Sequence, residues 1–343
     1  MPRVISDTWY SHHIRPEIVD FEKSFLTEYP AFIKLLATRS ALVKNFLFFW
    51  SSRSFDRVLI SIANPGVYYF ILFEWIFSRR RSRLLVLEFI RAIPYSSIMR
   101  KVYPAWSRLF LQPALAKTLC KAQVLTTYEV SSYAQKFNVP IEKLHYIPWP
   151  LHYDIERTAE AIKSTDASSL LVDGKPFVMV SGLNNVDWDT VIKAARTGGW
   201  TLLAVCSKKH RSFIEILAEG DPNIIIVNNI SQYEHAQYVK GATVFVISLL
   251  EYHVSVGQIR FMNSIENGVP VVVSDVVGLR DYAVDQVNAL IVPPYNPKEL
   301  QAAVDKLLSD SDLRSKLVKS AKNFMPEKTF SNYMADISSF AFS

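Results

Sequence analysis

The sequence predicts an α/β protein with two domains, each built on a parallel sheet. Short apolar runs of strand length alternate with longer segments of helical periodicity, as expected when each strand is followed by a crossover helix. The run Val269–Val273 is rich in β-branched residues and is short enough for a strand buried on both faces. The length of 343 residues exceeds what one typical domain core uses, so two domains are predicted.

The charge is distributed unevenly along the chain. Residues 1–150 carry 20 Lys and Arg against 10 Asp and Glu, and residues 151–343 carry 18 against 22. The two parts therefore have net charges of +10 and −4, which give +6 for the whole chain. A basic half beside a mildly acidic half suggests that the first half faces an anionic partner.

Several classes of protein are disfavoured by the sequence. Two cysteines, Cys120 and Cys206, do not suggest a disulfide framework and fit a reducing compartment. No histidine has metal-ligand spacing, so no metal site is predicted, and no glycine-rich phosphate motif or nucleic-acid motif occurs. The N-terminus has no signal pattern, and the apolar run Gly66–Phe77 is too short to cross a bilayer.

In the first half, helices and buried strands are predicted in alternation. No element is predicted for Met1–Trp9. The predicted elements after it are a mostly helical stretch over Ile14–Trp50, strands over Val58–Ile62, Leu84–Phe89 and Val124–Thr127, and helices over Val67–Phe77, Ile98–Lys121 and Tyr128–Phe137.

One carboxylate of this half is a candidate catalytic or acceptor-binding residue. Glu88 lies near the C-terminal end of a predicted strand, and open α/β sheets bind their ligands beyond the carboxyl ends of the strands. Glu88 could equally be the ion-pair partner of a nearby arginine.

Basic and aromatic residues of the first half suggest contact with an anionic membrane. Arg79, Arg80, Arg81 and Arg83 follow the strongly apolar helix over Val67–Phe77, and such a combination favours a lipid surface. The alternative is a buried helix followed by a solvated arginine cluster.

The second half is predicted to be a second set of alternating strands and helices. Glu156–Asp173 is polar and predicts an interdomain linker. The strands are predicted over Phe177–Val180, Thr201–Val205, Ile224–Val227, Thr243–Ile247 and Val269–Val273, and the helices over Tyr233–Lys240, Glu299–Leu308, Leu313–Phe324 and Thr329–Phe340.

The stretch Val254–Asp275 predicts a phosphate site. Gly257 opens a helix, which Asn267 and Gly268 end with a left-handed cap. A helix N-terminus behind a loop of small residues offers free N–H groups and a favourable dipole to an anion, so Val256, Gly257, Gln258 and Ile259 are predicted to hold a phosphate. The alternative is an ordinary helix–strand unit that binds nothing.

This stretch resembles the donor-binding segment of GT-B glycosyltransferases, in particular family 4, the glycosyl transferases group 1. The family pattern is a small residue and Gly, then LEAMAxGxPVV, then Ser/Thr-Asp. A second segment, between Thr127 and Pro148, resembles the one that closes the first domain of these proteins. The residues that carry the first resemblance are Gly257-Gln258, Phe261–Ile265, Gly268–Val272, Ser274-Asp275, Val277–Tyr282, Asn288–Pro294 and Asn296–Leu300.

The resemblance implies a GT-B fold, in which two Rossmann-like domains with parallel sheets face each other across a cleft. It implies a short, basic acceptor-side domain over residues 1–155, a linker over 156–173, a nucleotide-sugar domain over 174–325, and a C-terminal helix over 326–343 that packs back on the first domain. The nucleotide-diphosphate sugar would be a substrate, with no bound cofactor and no metal.

The resemblance also implies the residues of the donor site. The helix N-terminus would hold the diphosphate, Arg260 or Lys209 would add positive charge, and Asn263 would meet a hydroxyl. His253 would touch the donor sugar or its phosphate as a second catalytic candidate beside Glu88. Lys209 could equally belong to a solvated turn. The implied donor-binding set is Gly182, Asn184, Lys209, Asn229, Val256, Gly257, Gln258, Ile259, Arg260 and Asn263.

The implied function is hexosyl transfer from a nucleotide sugar to a glycan or lipid-linked acceptor in polysaccharide or glycoconjugate biosynthesis, without a metal and with retention of configuration. The protein would be cytoplasmic and peripheral on the inner face of the membrane. The chain departs from the family pattern at Ser255 and Asn263, where glutamates are usual, and at Leu183 and Val186, where cations are usual. The alternative is therefore a GT-B-shaped binding or scaffold protein that has lost catalysis.

Overall fold

The computed structural model describes residues 1–8, 14–62, 66–89, 97–150, 176–324 and 329–343. The chain divides into two compact units: Met1–Pro148 together with Ser331–Ser343, and Trp149–Phe330. The predicted linker, residues 156–173, lies outside the described residues.

The first unit contains a six-stranded sheet in the order β2-β1-β3-β4-β5-β6, and all neighbouring strands are parallel. The middle strands consist of consecutive apolar residues with almost no exposed surface, because helices cover both faces of the sheet. The strands are β1 (Val4–Ser6), β2 (Val19–Asp20), β3 (Arg57–Ser61), β4 (Leu84–Leu87), β5 (Leu119–Val124) and β6 (Leu144–Tyr146).

The helices of this unit follow the strands along the chain. Pro113 lies in the first turn of its helix, where the missing N–H costs no hydrogen bond. The helices are Phe21–Ser24, Ala31–Arg39, Ala41–Ser52, Val67–Phe77, Ser97–Trp106, Gln112–Thr118, Thr127–Phe137 and Phe330–Phe342, with 3₁₀ turns at Leu26–Glu28 and Ile141–Lys143 and a π-helical turn at Ser107–Leu111.

The first unit differs from the sequence prediction at its N-terminus. β1 lies between β2 and β3, with Ile5 opposite Val58, although no element was predicted there. The stretch predicted as mostly helical also contains β2. Strands of two or three residues are too short for a periodic pattern, and their place in the sheet is decided by pairing with a distant strand.

A second difference lies at the start of β5. The helix predicted to reach Lys121 ends at Thr118, and the strand begins at Leu119. The cation Lys121 fits a helical pattern as well as a strand pattern. Pairing with β4 decides between them, since Lys121 lies opposite Leu85.

The C-terminal helix Phe330–Phe342 contacts the first unit through its polar groups. Arg57 donates from Nη1 to the carbonyl of Ala341 over 2.7 Å. The Nε2 of Gln123 donates to the hydroxyl of Tyr333 over 3.2 Å. These contacts explain why Ser331–Ser343 belongs to the first unit.

The arginine cluster after helix Val67–Phe77 is only partly solvated. Arg83 is buried and donates from Nε and Nη2 to the two carboxylate oxygens of Glu74, at 2.5 and 2.7 Å. The same guanidinium donates to the carbonyls of Ser52 and Phe55. Arg83 is therefore a core residue, and it has to be removed from the predicted lipid-facing cluster. Arg79, Arg80 and Arg81 are exposed.

The second unit contains another six-stranded parallel sheet, in the order β12-β11-β10-β7-β8-β9. Its strands are β7 (Val178–Gly182), β8 (Leu202–Cys206), β9 (Ile224–Val227), β10 (Val244–Ile247), β11 (Val271–Ser274) and β12 (Leu290–Val292). Its helices are Trp188–Gly198, Lys208–Ala218, Gln232–Gly241, Gln258–Glu266, Pro297–Ser309 and Ser311–Phe324, with a 3₁₀ turn at Val277–Leu279.

The strand order reverses between β7 and β10. From β7 the chain proceeds outward to β8 and β9, and from β10 it proceeds outward on the other side to β11 and β12. Loops at the carboxyl ends of β7 and β10 therefore diverge and leave a crevice, the usual ligand site of an open parallel sheet. None of the helices in the described ranges is long and apolar enough to span a membrane.

Candidate donor site

The candidate site lies where β7 and β10 end. β7 is followed by the loop from Leu183, and β10 leads through Ser248–Val256 into the helix Gln258–Glu266, which we call the site helix. The site helix begins and ends where the sequence predicted. Gly268 has a φ of +68° and closes it, with the N–H of Val269 bonded to the carbonyl of Ser264.

The N-terminus of the site helix presents backbone donors. Gly257 is its N-cap, with a φ of +89°, and makes no side-chain capping bond. The first N–H groups of a helix have no partner within the helix. The Gly257 position is also crowded, since a Cβ there would lie 2.9 Å from Leu249 Cδ1. Glycine is therefore required by both conformation and space.

Arg260 places a cation in the first turn of this helix. Its Nη1 donates over 2.6 Å to the carbonyl of Ser181 at the end of β7. Among the described residues no carboxylate contacts the guanidinium, and burial lowers its pKa to about 10. Arg260 is half-buried, and a guanidinium partly withdrawn from water without a counter-ion is costly. The arrangement is thus poised for an anion, and the arginine remains charged at neutral pH.

Gly182 allows Arg260 to reach the strand end. A Cβ at residue 182 would lie 2.7 Å from Nη1 of Arg260 and 2.5 Å from Cγ2 of Val186. Both contacts are closer than real Cβ atoms show. Gly182 was predicted as a donor-site residue, and the structure places it against the cation.

Two side chains tie the loop before the site helix to the turn after β11. Gln258 is buried and donates from Nε2 to the carbonyl of Gly278 over 2.6 Å. Glu251 accepts from the N–H of Val277 at 2.8 Å and from the N–H of His253 at 2.6 Å. The Gln258 side chain is thus occupied, which leaves its backbone N–H for a ligand.

Gly278, in the turn after β11, packs closely against the loop before the site helix. A Cβ there would lie 2.6 Å from the carbonyl oxygen of Val254 and 2.7 Å from the backbone nitrogen of Val256. Since both atoms belong to backbone, any side chain would displace the loop that leads to the site helix.

Lys209 and Asn184, both predicted donor-site residues, are brought together. Lys209 Nζ donates to Asn184 Oδ1 over 2.7 Å, and both follow strand ends, β8 and β7. The neighbouring His210 bonds to Ser207, and burial, with a further contribution from Lys209, lowers the pKa of its imidazole. A second cation therefore follows the strand adjacent to β7.

The remaining predicted residues lie at the edges of this arrangement. Asn229 is exposed after the edge strand β9, in a left-handed conformation with φ +56°. Asn263 is half-buried on the site helix, nearly two turns after Gly257. Val256 is half-buried and Ile259 is exposed. No contact in the described part of the chain joins Asn229 to Arg260.

His253, a predicted catalytic residue, is exposed and adopts a φ of +51°. Its Nδ1 lies 3.8 Å from Oε1 of Glu251. Its backbone N–H donates to Glu251, and the imidazole is accessible from water, so it can contact a ligand.

Glu88, the other catalytic candidate, belongs to the first unit. It is buried at the carboxyl end of β4 with a φ of +51°, an unusual conformation that costs energy in a residue with a side chain. Ser61 donates to its Oε2 over 3.3 Å, and its own N–H donates to Gln123 over 3.1 Å. Strained buried carboxylates at strand ends are candidates for function.

Glu251 and Gly278 were missed by the sequence prediction. Glu251 is the only acidic residue between Val244 and Ile265, and a lone carboxylate in an apolar loop after a buried strand is a usable signal. Gly278 gives no such signal, because its importance depends on how close two loops approach. Within the described ranges, no three His, Cys, Asp or Glu residues form a group that could hold a metal.

A comparison with known protein families assigns the part of the chain that contains the candidate site. Residues 188–324 match the family model described as glycosyl transferases group 1. These residues form a glycosyltransferase domain of that group. The match contains the site helix, Lys209 and Glu251. The chain is thus a glycosyltransferase, and the resemblance predicted from the sequence is confirmed over residues 188–324.

Solved structures show the same fold over most of the chain. HepE from Anabaena in complex with UDP has a TM-score of 0.68 at 12% identity, covering 99% of this chain and 98% of its own. WaaG, a glycosyltransferase involved in lipopolysaccharide biosynthesis, scores 0.57 at 14% identity, covering 88% and 96%. The UDP-forming α,α-trehalose-phosphate synthase from Burkholderia xenovorans scores 0.64 at 12% identity, covering 97% and 82%.

These likenesses confirm the predicted GT-B fold, with its two α/β domains. The structures of HepE include a complex with UDP-glucose. No curated protein matched the sequence.

Proposed function

We propose that this glycosyltransferase takes a sugar from a nucleotide-diphosphate sugar bound at the second unit and transfers it to a hydroxyl of a glycan or lipid-linked acceptor. The observation that carries the donor proposal is Arg260, a guanidinium without a counter-ion, beside the uncapped N-terminus of the site helix. Both features attract the same kind of ligand, an anion with several oxygen atoms.

The chemistry of the transfer fits these charges. The bond between the anomeric carbon and the diphosphate oxygen breaks, the acceptor oxygen bonds to that carbon, and the acceptor hydroxyl loses its proton. Negative charge grows on the leaving diphosphate, so preorganised positive groups there lower the barrier. We assign this stabilisation to Arg260, with Lys209 and the N–H groups of Gly257 to Ile259, and propose that no metal is needed.

The other residue roles are proposed on the same basis. Asn263 would meet a ribose or sugar hydroxyl, and the backbone at Asn229 would meet the nucleobase. His253 would touch the sugar or phosphate, and Glu88 would serve the acceptor. Retention of configuration follows the family resemblance alone.

The acceptor and location extend this proposal. A basic first half of net charge +10 suits an acceptor presented at an anionic membrane surface. We therefore propose a role in polysaccharide or glycoconjugate assembly, at the inner face of the membrane.

A thermal-shift titration with UDP, GDP, ADP, CDP and their sugars tests the donor site. A ligand at about 100 times its Kd stabilises the native state by about 2.7 kcal/mol, and we expect one nucleobase to raise Tm. Arg260→Met should reduce the stabilisation to about 1 kcal/mol at the same ligand concentration, because a 30-fold weaker affinity leaves the ligand at only about 3 times its Kd. The matched control is Arg196→Met, since Arg196 is exposed and pairs with Glu219, just after the helix Lys208–Ala218.

Two results would count against the donor site. A shift that is undiminished in Arg260→Met would place the nucleotide elsewhere, and no shift with any nucleotide would favour the scaffold alternative.

A further inference from the structure

Two consecutive helices of the first unit expose large apolar side chains to solvent. Helix Ala31–Arg39 and helix Ala41–Ser52 do so along their outer sides, and each exposed side chain keeps between 43% and 65% of its surface accessible. We call this surface the 31–53 face. Its exposed apolar residues are Phe32, Leu35, Leu36, Leu42, Phe46 and Trp50.

The exposed residues are not the edge of the core. Helix Ala41–Ser52 buries Phe48 and Phe49 on its inner side and still exposes Leu42, Phe46 and Trp50 on the outer side. A surface helix of a globular protein normally turns a polar side outward, and a helix that is apolar on both sides needs a second apolar neighbour.

The apolar surface continues onto the next helix. The rings of Phe46 and Phe73 are 5.5 Å apart, and those of Phe49 and Phe77 are 6.2 Å apart. Phe77 and Ile76, at the end of helix Val67–Phe77, are themselves 62% and 59% exposed. The exposed side chains thus form one surface across three helices.

The charges on these helices are positive, and one of them, Lys44, forms an ion pair with Glu22 of the preceding helix. From Tyr29 to Phe55 the sequence has four cations and no carboxylate. Lys34 and Arg39 make no ion pair or hydrogen bond through their side chains in the described part of the chain. The guanidinium of Arg53 lies 3.6 Å from the centre of the Trp50 ring, and such a pair suits the boundary between water and lipid.

We infer that the 31–53 face docks on an anionic phospholipid bilayer, with its apolar side chains below the headgroups and its cations among them. This deepens the proposed function, since it rests on a membrane-side acceptor and names the docking surface. A second copy of the chain fits less well. A two-fold interface sets the same patch against itself, and here Lys34 and Arg39, which have no ion-pair partner in the described part of the chain, would face their own copies.

The surface differs from the one the sequence suggested. The arginines after Val67–Phe77 were the predicted lipid contact, but Arg83 is in the core. The helices Ala31–Arg39 and Ala41–Ser52 carry most of the exposed apolar surface. Arg79 and Arg81 remain exposed in the segment that follows the third helix.

Vesicle flotation tests the inference, with phosphatidylcholine vesicles and with vesicles that also contain phosphatidylglycerol. We expect the full-length protein to float with the anionic vesicles and to be released by salt. Phe32→Ser with Leu36→Ser should weaken binding roughly tenfold for each side chain. Lys34→Gln with Arg39→Gln should weaken it about fivefold for each cation.

Matched controls lie on the second unit. Phe213→Ser with Ile216→Ser removes two apolar side chains that are 49% and 73% exposed on one helix. Lys316→Gln with Lys319→Gln removes two exposed cations of another helix. Neither pair should change flotation. All four variants alter exposed positions, apart from the half-buried Lys34, and should keep the Tm of the unmodified protein.

Three outcomes would overturn the inference. They are no binding to anionic vesicles, equal loss in the controls, or a dimer in sedimentation that Phe32→Ser with Leu36→Ser dissociates without any vesicle binding. The nucleotide thermal shift is measured on the same variants and should be unchanged. If the unmodified protein does not bind vesicles but shows the nucleotide shift, only this inference is refuted, and if it floats with anionic vesicles but shows no shift, only the donor site is refuted.

Discussion

Arg260 is the residue on which the donor site depends. Its side chain crosses from the site helix to a carbonyl of β7, two positions that are 79 residues apart in sequence. A guanidinium that has lost part of its hydration without gaining a carboxylate destabilises the empty protein. Such a cost is typical of functional positions. Removing the cation should therefore stabilise the ligand-free protein and weaken the binding of the nucleotide.

The variant Arg260→Met should show these opposite effects. The ligand-free variant should have a Tm equal to or higher than that of the unmodified protein, because an uncompensated cation is replaced by an apolar chain. Its affinity for the nucleotide should fall about 30-fold, since a hydrogen bond to a charged group contributes about 2 kcal/mol. Calorimetry and titration calorimetry measure the two effects. A lower Tm with unchanged affinity would make Arg260 a structural residue.

Glu251 acts on the site through the backbone. Its carboxylate holds the N–H groups of His253 and Val277 and so joins the loops on either side of the site helix. A negative charge near a diphosphate would by itself oppose binding. The sign of its effect on affinity therefore tells whether it positions the loop or simply lies nearby.

Glu251→Gln should weaken nucleotide binding about tenfold, because the amide can accept from only one of the two N–H groups and the loop loses an anchor. Asp285→Asn is the control, since Asp285 also accepts a backbone N–H, from Ile291, in a loop after the site. Tighter binding by Glu251→Gln would show that charge repulsion outweighs positioning.

At the scale of elements, helix Val67–Phe77 shows how burial was misjudged from sequence. Its bounds were predicted correctly from apolar periodicity. The burial of Arg83 was not predicted. A cluster of arginines in sequence indicates a solvated surface, and only the structure shows that the buried Glu74 faces Arg83. Glu74 and Arg83 are 0% and 3% exposed and bonded through two oxygens.

Glu74→Gln should lower the free energy of unfolding by about 3–5 kcal/mol, because it leaves the Arg83 cation buried and unpaired. The double variant Glu74→Met with Arg83→Met should recover most of that loss, since the ion pair itself adds little net stability. Urea unfolding of the two variants measures this. Equal losses in both would mean that packing, and not the unpaired charge, dominates.

At the scale of the whole molecule, the sequence predicts best where local patterns determine structure. The site helix, its glycine N-cap and its left-handed C-cap follow from a few adjacent residues, and the family pattern over the second unit follows with them. β1 and the start of β5 could not be predicted, because pairing with distant strands decides them. The contact of Arg260 with Ser181 and the loop approach at Gly278 likewise depend on the assembled sheet.

The departures at Ser255 and Asn263 concern the central claim, which is catalysis of sugar transfer. Ser255 is buried and Asn263 half-buried, and neither supplies the charge of a glutamate. If Arg260, Lys209 and the helix N-terminus stabilise the leaving diphosphate, as proposed, sugar transfer can proceed without glutamates at positions 255 and 263.

The most direct measurement is the release of nucleoside diphosphate from the nucleotide sugar that the thermal-shift titration identifies, with isolated membranes and glycans as acceptors. We predict release above the spontaneous rate, reduced at least 30-fold in Arg260→Met by the loss of about 2 kcal/mol at the diphosphate, and reduced in Glu88→Gln. Binding of the nucleotide sugar without any release would contradict the account and identify the protein as a GT-B-shaped binding protein.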